Sequence, residues 1–343
     1  MSTADGDERT ALHRSIVIWV GLLLLTVAAL FSAIGILNRE VYSASAFVRI
    51  YLDAVAHHDV DAALATPGVA LTTNDTPGTG VAALVTPDAL GDLADIEQLS
   101  DTEMAPGRHR IVYDYTLSGV GQNRAHGQSE FDVVQSGTSW LFFPEWRFVR
   151  SPVATATVTV SHASSFTAGR AAVETADPTA FHASQDYEVL VPSLYVLSHR
   201  SDYLGANPMA MAATAPKSTI SAIVDVQPTT TFLDEVQTTV NGFLDDCAEQ
   251  TALYPPGCPF GQDVNDRIAS DPAWSIESYP TLTILAGQDS WIVPNAAGAA
   301  HITVEIRSLF DGTVSTLDAT VPFDVTFSLS IQPDGSVQFA PRA

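Results

Sequence analysis

The densest group of possible metal ligands in the sequence is formed by His57, His58, Asp59 and Asp61. Neighbouring residues on a helix diverge by about 100°, so the two imidazoles cannot readily share one ion. The favoured interpretation is a solvated helix end at which Asp59 caps a following helix. The pattern therefore predicts no metal site.

Two further residues could act as a general acid or base if they faced a cavity. Asp114 lies in the middle of the aromatic segment RIVYDYTLSG, and Tyr51 lies on a predicted helix. Because side chains alternate along a strand, Tyr113 and Tyr115 face away from Asp114, which we expect to face water. Asp114 and Tyr51 are therefore candidates only under an enzyme hypothesis.

Recognisable catalytic motifs are missing from the sequence. There is no G-x-S-x-G, H-E-x-x-H or G-x-x-x-x-G-K-[ST] segment. The run from Thr214 to Lys217 approaches the S-x-x-K of penicillin-binding proteins, but it begins with Thr, and no S-D-N or K-T-G follows. We predict no catalytic residue, no cofactor and no metal ligand. Four aromatic residues could line a carbohydrate surface, although packing is favoured for them: Trp140, Trp146, Trp274 and Trp291.

The two cysteines, Cys247 and Cys258, lie within one short segment, FLDDCAEQTALYPPGCPFG. An even count, close spacing and an extracytoplasmic setting favour a disulfide, worth roughly 3 kcal/mol in the chain-entropy model. Zinc would require four ligands, and this segment contains no His. The spacing is not that of a C-x-x-C redox pair. Free thiols remain the main alternative.

The stretch from Ser15 to Leu37 has twenty-three residues without an ionisable side chain. As a helix it would be about 34 Å long, enough to cross the roughly 30 Å of bilayer hydrocarbon. Small-x-small segments at Ala33–Gly35 and Ala44–Ala46 leave a cleaved signal peptide open. The apolar stretch is longer than a signal peptide requires, so we predict an uncleaved anchor.

The positive-inside rule does not decide the orientation, because Arg9 and Arg14 before the span are balanced by Arg39 and Arg49 after it. We infer the orientation from the sizes of the two flanking parts, a short tail before the span and a large folded part after it. We predict a cytoplasmic tail at 1–14, a transmembrane helix at 15–37 and an extracytoplasmic bulk. The formal charge of −24 disfavours nucleic acid and anionic headgroups as partners.

Helical spacing follows the span. The segment after Ser43 predicts a helix whose buried face carries Phe47, Ile50, Tyr51, Ala54 and Val55. Asp59 or Asp61 should cap a short helix, VDAALA, that ends at Pro67-Gly68. Thr86 as N-cap and Pro87 predict another helix, with a buried stripe of Leu90, Leu93 and Ile96.

The period then changes from about 3.6 to 2. One face of the first strand carries Ile111, Tyr113, Tyr115 and Leu117, and the segments GQSEFDVVQSG and TSWLFFPEWRFV predict two more strands joined at Gly137. Helices followed by an antiparallel meander predict an α+β domain at 43–150.

This pattern, AFVRIYLDAVAHHDVDAALA closed by strands with a terminal Trp-x-Phe, resembles the NTF2-like (cystatin-like) domains of secreted and membrane-anchored bacterial proteins. The resemblance covers about a third of the chain. It implies a helix layer on a curved sheet that encloses a cone-shaped cavity, which relatives use for catalysis, for small ligands or only for packing.

Two further domains are predicted. Residues 151–228 contain short apolar runs such as ATATVTVS, YEVLVP, SLYVLS and TISAIVDVQ, which indicate a small β-sandwich. Residues 229–343 begin with a helix capped by one of Thr229 to Thr231, whose apolar face carries Phe232, Val236, Val240, Phe243 or Leu244, and Cys247. Strands are predicted around PTLTILA, HITVEIRSLF, VPFDVTFSLSIQ and SVQFAP, with turns at Asp311-Gly312 and Asp334-Gly335.

The overall prediction is an α+β chain whose CAEQ…PPGCPF loop resembles that of single-pass envelope proteins of GC-rich Gram-positive bacteria. The favoured function is a non-enzymatic, membrane-anchored module that binds an envelope protein, a wall component or a small ligand. The alternatives are an NTF2-like enzyme with a cavity acid or base, and a transmembrane sensor or regulator, against which the short tail argues.

Overall fold

The chain is described by a computed structural model that covers residues 4–72, 75–121, 123–140, 142–177, 179–332 and 334–341. An apolar N-terminal helix precedes units that are mostly β-sheet, consistent with the α+β class. The helices are α1 (Ala4–Glu40), α2 (Ala44–Ala56), α3 (Val60–Ala65) and α4 (Thr230–Ala248), with a 3-10 turn at Gly80–Ala82.

The strands follow in chain order. They are β1 (Asp92–Ala105), β2 (Arg108–Ser118), β3 (Arg124–Ser139), β4 (Phe143–Phe148), β5 (Val153–Ser161), β6 (Ser165–Ala168), β7 (Ala171–Glu174), β8 (His182–Leu190), β9 (Ser193–Arg200), β10 (Leu204–Ala213), β11 (Thr219–Asp225), β12 (Gln227–Pro228), β13 (Arg267–Ile268), β14 (Ala273–Ser278), β15 (Leu285–Ala286), β16 (Trp291–Arg307), β17 (Val314–Ile331) and β18 (Val337–Pro341).

The first helix, α1, is longer than the predicted span because it already begins at Ala4. Its segment Ile18–Glu40 has 23 residues, and an 18-residue stretch within it has a mean hydropathy of 2.6 and no buried residue. That segment is long and apolar enough to cross a membrane, although a signal sequence near an N-terminus has the same properties. The lack of burial means that no part of the described protein covers this apolar surface.

The α2 helix starts at its N-cap Ser43, whose hydroxyl accepts a hydrogen bond from the backbone N–H of Ala46 at 3.1 Å. Its buried face carries Ala44, Val48, Tyr51, Leu52 and Val55. Ile50 was predicted to share that face but is 63% exposed. The prediction centred the stripe one residue too early, and a step of one residue rotates a side chain by about 100°.

The predicted helix with Leu90, Leu93 and Ile96 does not form, because strand β1 begins at Asp92. In its pairing with β2 the register shifts between Ala94 and Glu97, and Asp95 has a φ of 52°. A β-bulge of this kind inserts one extra residue, so side chains three apart face the same side. Leu93 and Ile96 therefore both face the core at a spacing that imitates a helix.

The strands β1 to β4 form an antiparallel sheet in sequence order. The predicted alternation along β2 is confirmed, because its buried residues are Ile111, Tyr113, Tyr115 and Leu117. Gly137 was predicted to join two strands, and this prediction is wrong. It lies within β3, where the pairing with β4 shifts register. The chain reverses instead between Ser139 and Phe143.

Residues 151–228 form two sheets. One has the order β11-β5-β8, with β11 parallel to β5, and the other has the order β12-β10-β9-β6-β7. Phe166 on β6 contacts Tyr187 on β8 with ring centroids 5.7 Å apart, so aromatic packing joins the two sheets. The predicted apolar runs lie in β5, β8, β9 and β11.

The last sheet has the order β13-β16-β17-β18, with β14 and β15 also paired to β16. Thr229 caps α4 by accepting the backbone N–H of Phe232, and the predicted buried face is confirmed with Leu244 rather than Phe243. The PTLTILA strand shrinks to Leu285–Ala286.

A side chain of α4 explains why the strand predicted around PTLTILA is so short. The Gln237 amide donates to the carbonyl of Pro280 and accepts the N–H of Leu282, at 3.0 and 3.1 Å. These backbone groups are therefore used by α4 and not by a strand ladder.

Candidate functional site

The two histidines near the end of α2 have different surroundings. His57 is the C-cap residue, with its Nδ1 2.6 Å from the carbonyl oxygen of Asp53. Asp59 caps α3 by accepting the backbone N–H of Ala62 at 3.0 Å, as predicted. His58 has a φ of 56° and places Nε2 3.4 Å from a carboxylate oxygen of Asp92. Among the described residues, no group of three or more His, Cys, Asp or Glu side chains is arranged to hold a metal.

Tyr51 is a buried connector between two parts of the chain. Its hydroxyl donates a bond of 2.8 Å to the Val191 carbonyl and lies 3.2 Å from the carbonyl of Pro152. Burial raises the pKa of Tyr51 well above its ordinary value, because the phenolate would lose its hydration. A phenol fixed in this way does not serve as a base near neutral pH.

Asp114 lies on the face of β2 opposite to Tyr113 and Tyr115, as the alternation predicts. Its side chain is only 18% exposed, and a carboxylate oxygen lies 3.1 Å from Nε2 of His126. It therefore does not face water freely. Tyr51 packs on the other side of the sheet, so the structure does not bring the two acid–base candidates together.

Aromatic rings occupy the space between α2 and its sheet. Tyr51 and Phe131 each contact Phe148, with ring centroids 5.3 and 5.9 Å apart, and all three residues are at most 2% exposed. Tyr115 on β2 is also fully buried, and its hydroxyl is hydrogen-bonded to that of Ser129. The interior where the resemblance implies a cavity is thus lined with packed side chains.

Of the four tryptophans considered for a carbohydrate surface, three form contacts within the protein. Trp274 and Trp291 are 8% and 3% exposed, and the indole of Trp146 donates to the carbonyl of Tyr42. Trp140 differs, with 84% exposure. These positions do not form one carbohydrate platform. The backbone carbonyl of Thr214 accepts a hydrogen bond from the Ser129 hydroxyl.

An apolar cavity of about 500 Å³ lies between α4 and the strands β17 and β18, and we call it the α4 groove. Its size falls within the range of small-molecule sites. Phe327 and Phe339 meet edge to face across its sheet side, with centroids 6.0 Å apart. The lining residues are Thr239, Val240, Phe243, Gly257, Cys258, Pro259, Asp324, Val325, Thr326, Phe327 and Phe339.

The predicted disulfide forms part of this groove. Cys247 faces the core from the last turns of α4 and is bonded to Cys258, with their Cα atoms 5.8 Å apart. The bond holds the segment from Gly257 to Pro259 against the helix, where it lines the groove. The covalent link thus sets the groove wall.

Sequence reasoning did not find the α4 groove, although one signal pointed to it. The helical pattern left open whether Phe243 or Leu244 enters the core. Leu244 is fully buried, whereas Phe243 remains 38% exposed and lines the groove. A large aromatic residue beside an otherwise complete apolar stripe indicates a second apolar face on the same helix.

A polar cavity of about 250 Å³ lies on the outer face of the first sheet. Arg110 donates to both carboxylate oxygens of Asp132, at 2.9 and 3.4 Å, and lies 3.8 Å from Glu130. The hydrogen bond from Arg110 holds the pKa of Asp132 below its ordinary range. With the guanidinium already paired, this cavity carries no free positive charge from Arg110.

No family model matches the chain, and neither the curated proteins nor the solved structures contain a match. The assignment of function therefore rests on the residues themselves.

Proposed function

We propose that the chain is a membrane-anchored, non-enzymatic binding protein of the cell envelope, with its N-terminus in the cytoplasm and residues 38–343 outside. The observation that carries the binding role is the α4 groove, an apolar cavity whose wall is held by a disulfide. The partner is a small apolar ligand or an apolar segment of an envelope protein or wall component.

Two observations support the membrane and compartment assignments. The apolar segment of α1 has no buried share, so a bilayer is the environment that would cover it. The Cys247–Cys258 disulfide fits an oxidising compartment. The acidic surface, with a formal charge of −24, disfavours nucleic acid as a partner.

The lining indicates which ligands the groove would accept. Aromatic and aliphatic side chains would remove apolar surface from water, a contribution of about 25 cal/mol per Å². Asp324 and Thr239 are polar residues of the same lining, whereas the hydroxyl of Thr326 donates to the carbonyl of Val293 at 3.1 Å. The groove therefore suits an apolar molecule that carries a hydrogen-bond donor or a positive charge.

For residues 43–150 we propose an NTF2-like domain of the kind found in envelope proteins of GC-rich Gram-positive bacteria. Support comes from two short helices that precede a four-stranded antiparallel sheet with register shifts. Because aromatic rings pack its interior, we assign it a structural role. The contacts of Tyr51 and Asp114 give no support to an enzyme.

The topology is tested by adding an impermeable thiol reagent and a protease to intact cells. We expect the protease to remove the bulk of the chain, and Cys247 and Cys258 to react only after reduction and denaturation. A chain that is protected from protease in intact cells, and whose two cysteines react after lysis without prior reduction, would contradict the proposal.

The groove is tested by titrating the full chain in lipid nanodiscs with phenylnaphthylamine, a small fluorescent apolar amine. We expect Phe243→Glu to abolish the saturable part of the signal, because it places a charge in the apolar lining. The matched control is Leu309→Glu, at a side chain that is 73% exposed and outside the groove. The bilayer background is the same for both, so equal binding by the two variants would exclude the groove.

A further inference from the structure

Exposed aromatic side chains surround the turn between β3 and β4. Trp140, at the first turn position after β3, is 84% exposed, and Phe142 is 47% exposed. Large apolar groups left in water are unfavourable, and tryptophan in particular is enriched where an apolar environment meets a wet one. This turn therefore presents exposed aromatic surface.

The same turn is attached to the end of α1. The side-chain amide of Asn38 donates to the carbonyl of Phe142 at 2.8 Å. The ring of Tyr42 stacks on Phe143 with centroids 4.3 Å apart, and the indole of Trp146 donates to the Tyr42 carbonyl at 2.9 Å. Three contacts thus hold the turn beside the residues that follow the apolar segment.

These contacts determine the depth of the turn relative to a bilayer. Asn38 directly follows Leu37, the last residue of the uncharged stretch, and one helical residue rises by about 1.5 Å. If α1 spans the bilayer, the backbone of Phe142 lies at the boundary between hydrocarbon and headgroups. Tryptophan and tyrosine side chains are enriched at that level in membrane proteins.

We propose that Trp140, Phe142 and Tyr42 form an interfacial patch that inserts into the outer headgroup region of the bilayer that α1 spans. The inference rests on the proposed anchor and adds a second membrane contact, made by the folded domain. The partner is a phospholipid surface. The strongly acidic chain argues against attraction to anionic lipid, so insertion depends on aromatic burial and not on charge.

The test uses single spin labels on the full chain in phosphatidylcholine vesicles. Both cysteines of the sequence are in the disulfide, so an introduced cysteine is the one free thiol. The test position is Trp140→Cys. The control is Phe310→Cys, at a side chain that is 99% exposed, and the anchor is monitored by Leu24→Cys in α1. Collision with oxygen and with a water-soluble nickel chelate reports the depth of each label.

We expect the label at position 140 to collide with the chelate several-fold less often than the label at 310, while the label at 24 is reached mainly by oxygen. Varying ionic strength should not change this order. Equal chelate access at 140 and 310, with 24 still buried, would overturn the patch and leave the anchor intact. Chelate access at all three positions would overturn both the patch and the proposed anchor.

Discussion

The Tyr51 hydroxyl donates a hydrogen bond to the carbonyl oxygen of Val191, 2.8 Å away and 140 residues further along the chain. The N–H of Gly91 likewise donates to the Leu194 carbonyl at 2.9 Å. A Cβ on Gly91 would lie 2.7 Å from that oxygen, so only glycine permits this approach. The helix-and-sheet unit before residue 150 is therefore held directly against the strands that follow it.

Replacing Tyr51 by Phe is expected to lower the free energy of unfolding by about 1–3 kcal/mol, because a buried carbonyl loses its partner. The carbonyl that loses its partner is that of Val191. The Pro152 carbonyl keeps one, because it also accepts the N–H of Val191 at 2.9 Å. Denaturant unfolding of the full chain in detergent measures the change. The control Tyr254→Phe, at a side chain 57% exposed, should alter stability by less than about 0.5 kcal/mol. Equal effects would show that the buried bond contributes nothing.

Stability is expected to fall in alkali. Burial raises the pKa values of Tyr113, Tyr115 and Tyr187 from 10.0 to about 12. Unfolded phenols therefore lose their protons at a lower pH than the folded ones, so this contribution is complete below about pH 10 and is lost towards pH 12. Near-ultraviolet absorbance of phenolate and circular dichroism should change together over that range.

The matched variant for the alkaline transition is Tyr187→Phe. The Tyr187 hydroxyl is buried and has no hydrogen-bond partner among the described residues, so its removal should not destabilise the protein at neutral pH. It should move the alkaline unfolding midpoint to higher pH. An unchanged midpoint would mean that this phenol does not contribute to the transition.

Arg110→Gln is expected to destabilise the protein at neutral pH, because the carboxylate of Asp132, which is only 8% exposed, loses the guanidinium that donates a hydrogen bond to it. In the wild type the pKa of Asp132 is lower in the folded protein than in the unfolded chain. This difference stabilises the fold at a pH above the ordinary pKa of an aspartate, and the contribution is lost as the pH falls through the lowered pKa of the folded state. The variant should therefore begin acid unfolding at a higher pH.

The control for this ion pair is Arg170→Gln. Arg170 and Asp88 are 74% and 61% exposed, so their pair should contribute at most about 1 kcal/mol. Acid unfolding followed by circular dichroism compares the two variants. A similar shift in both would assign the effect to net charge instead of to the Arg110–Asp132 contact.

Reducing the disulfide is expected to lower the free energy of unfolding by about 3 kcal/mol, the entropy of closing a loop of this length. It should also weaken probe binding in the α4 groove, because Cys258 lies in the groove wall. Thermal unfolding with and without reductant measures the first effect. The double variant Cys247→Ala, Cys258→Ser should resemble the reduced protein and no longer respond to reductant. A response in that variant would assign the effect to another cause.

The buried residues of a helix or strand could be predicted from the sequence where only one of its faces is buried. The alternation along β2 and the helical spacing of α4 gave the correct buried residues, because burial there follows the period of the backbone. The caps Asp59 and Thr229 were among the predicted candidates, because the carboxylate or hydroxyl of a cap accepts a backbone N–H three residues away. Each of these features depends on neighbours in the chain.

Features that depend on residues far apart in the chain could not be predicted from the sequence. The bulge at Asp95 gave Leu93 and Ile96 a helical spacing within a strand, and only the pairing with β2 reveals it. Gln237 replaces a strand partner for Leu282, across 45 residues of sequence. The α4 groove likewise needs α4 and β17 to be adjacent before its aromatic lining can be recognised.

The junction from Asn38 to Tyr42 contains no glycine or proline and is bonded to the β3–β4 turn. Such a junction has no flexible hinge, so the folded part of the chain keeps a fixed angle to α1. A helix adjusts its tilt to the thickness of the surrounding lipid. If α1 spans a bilayer as proposed, a change in bilayer thickness would tilt the folded part of the chain by the same angle as the helix, and membrane composition would thereby change the direction in which the α4 groove faces.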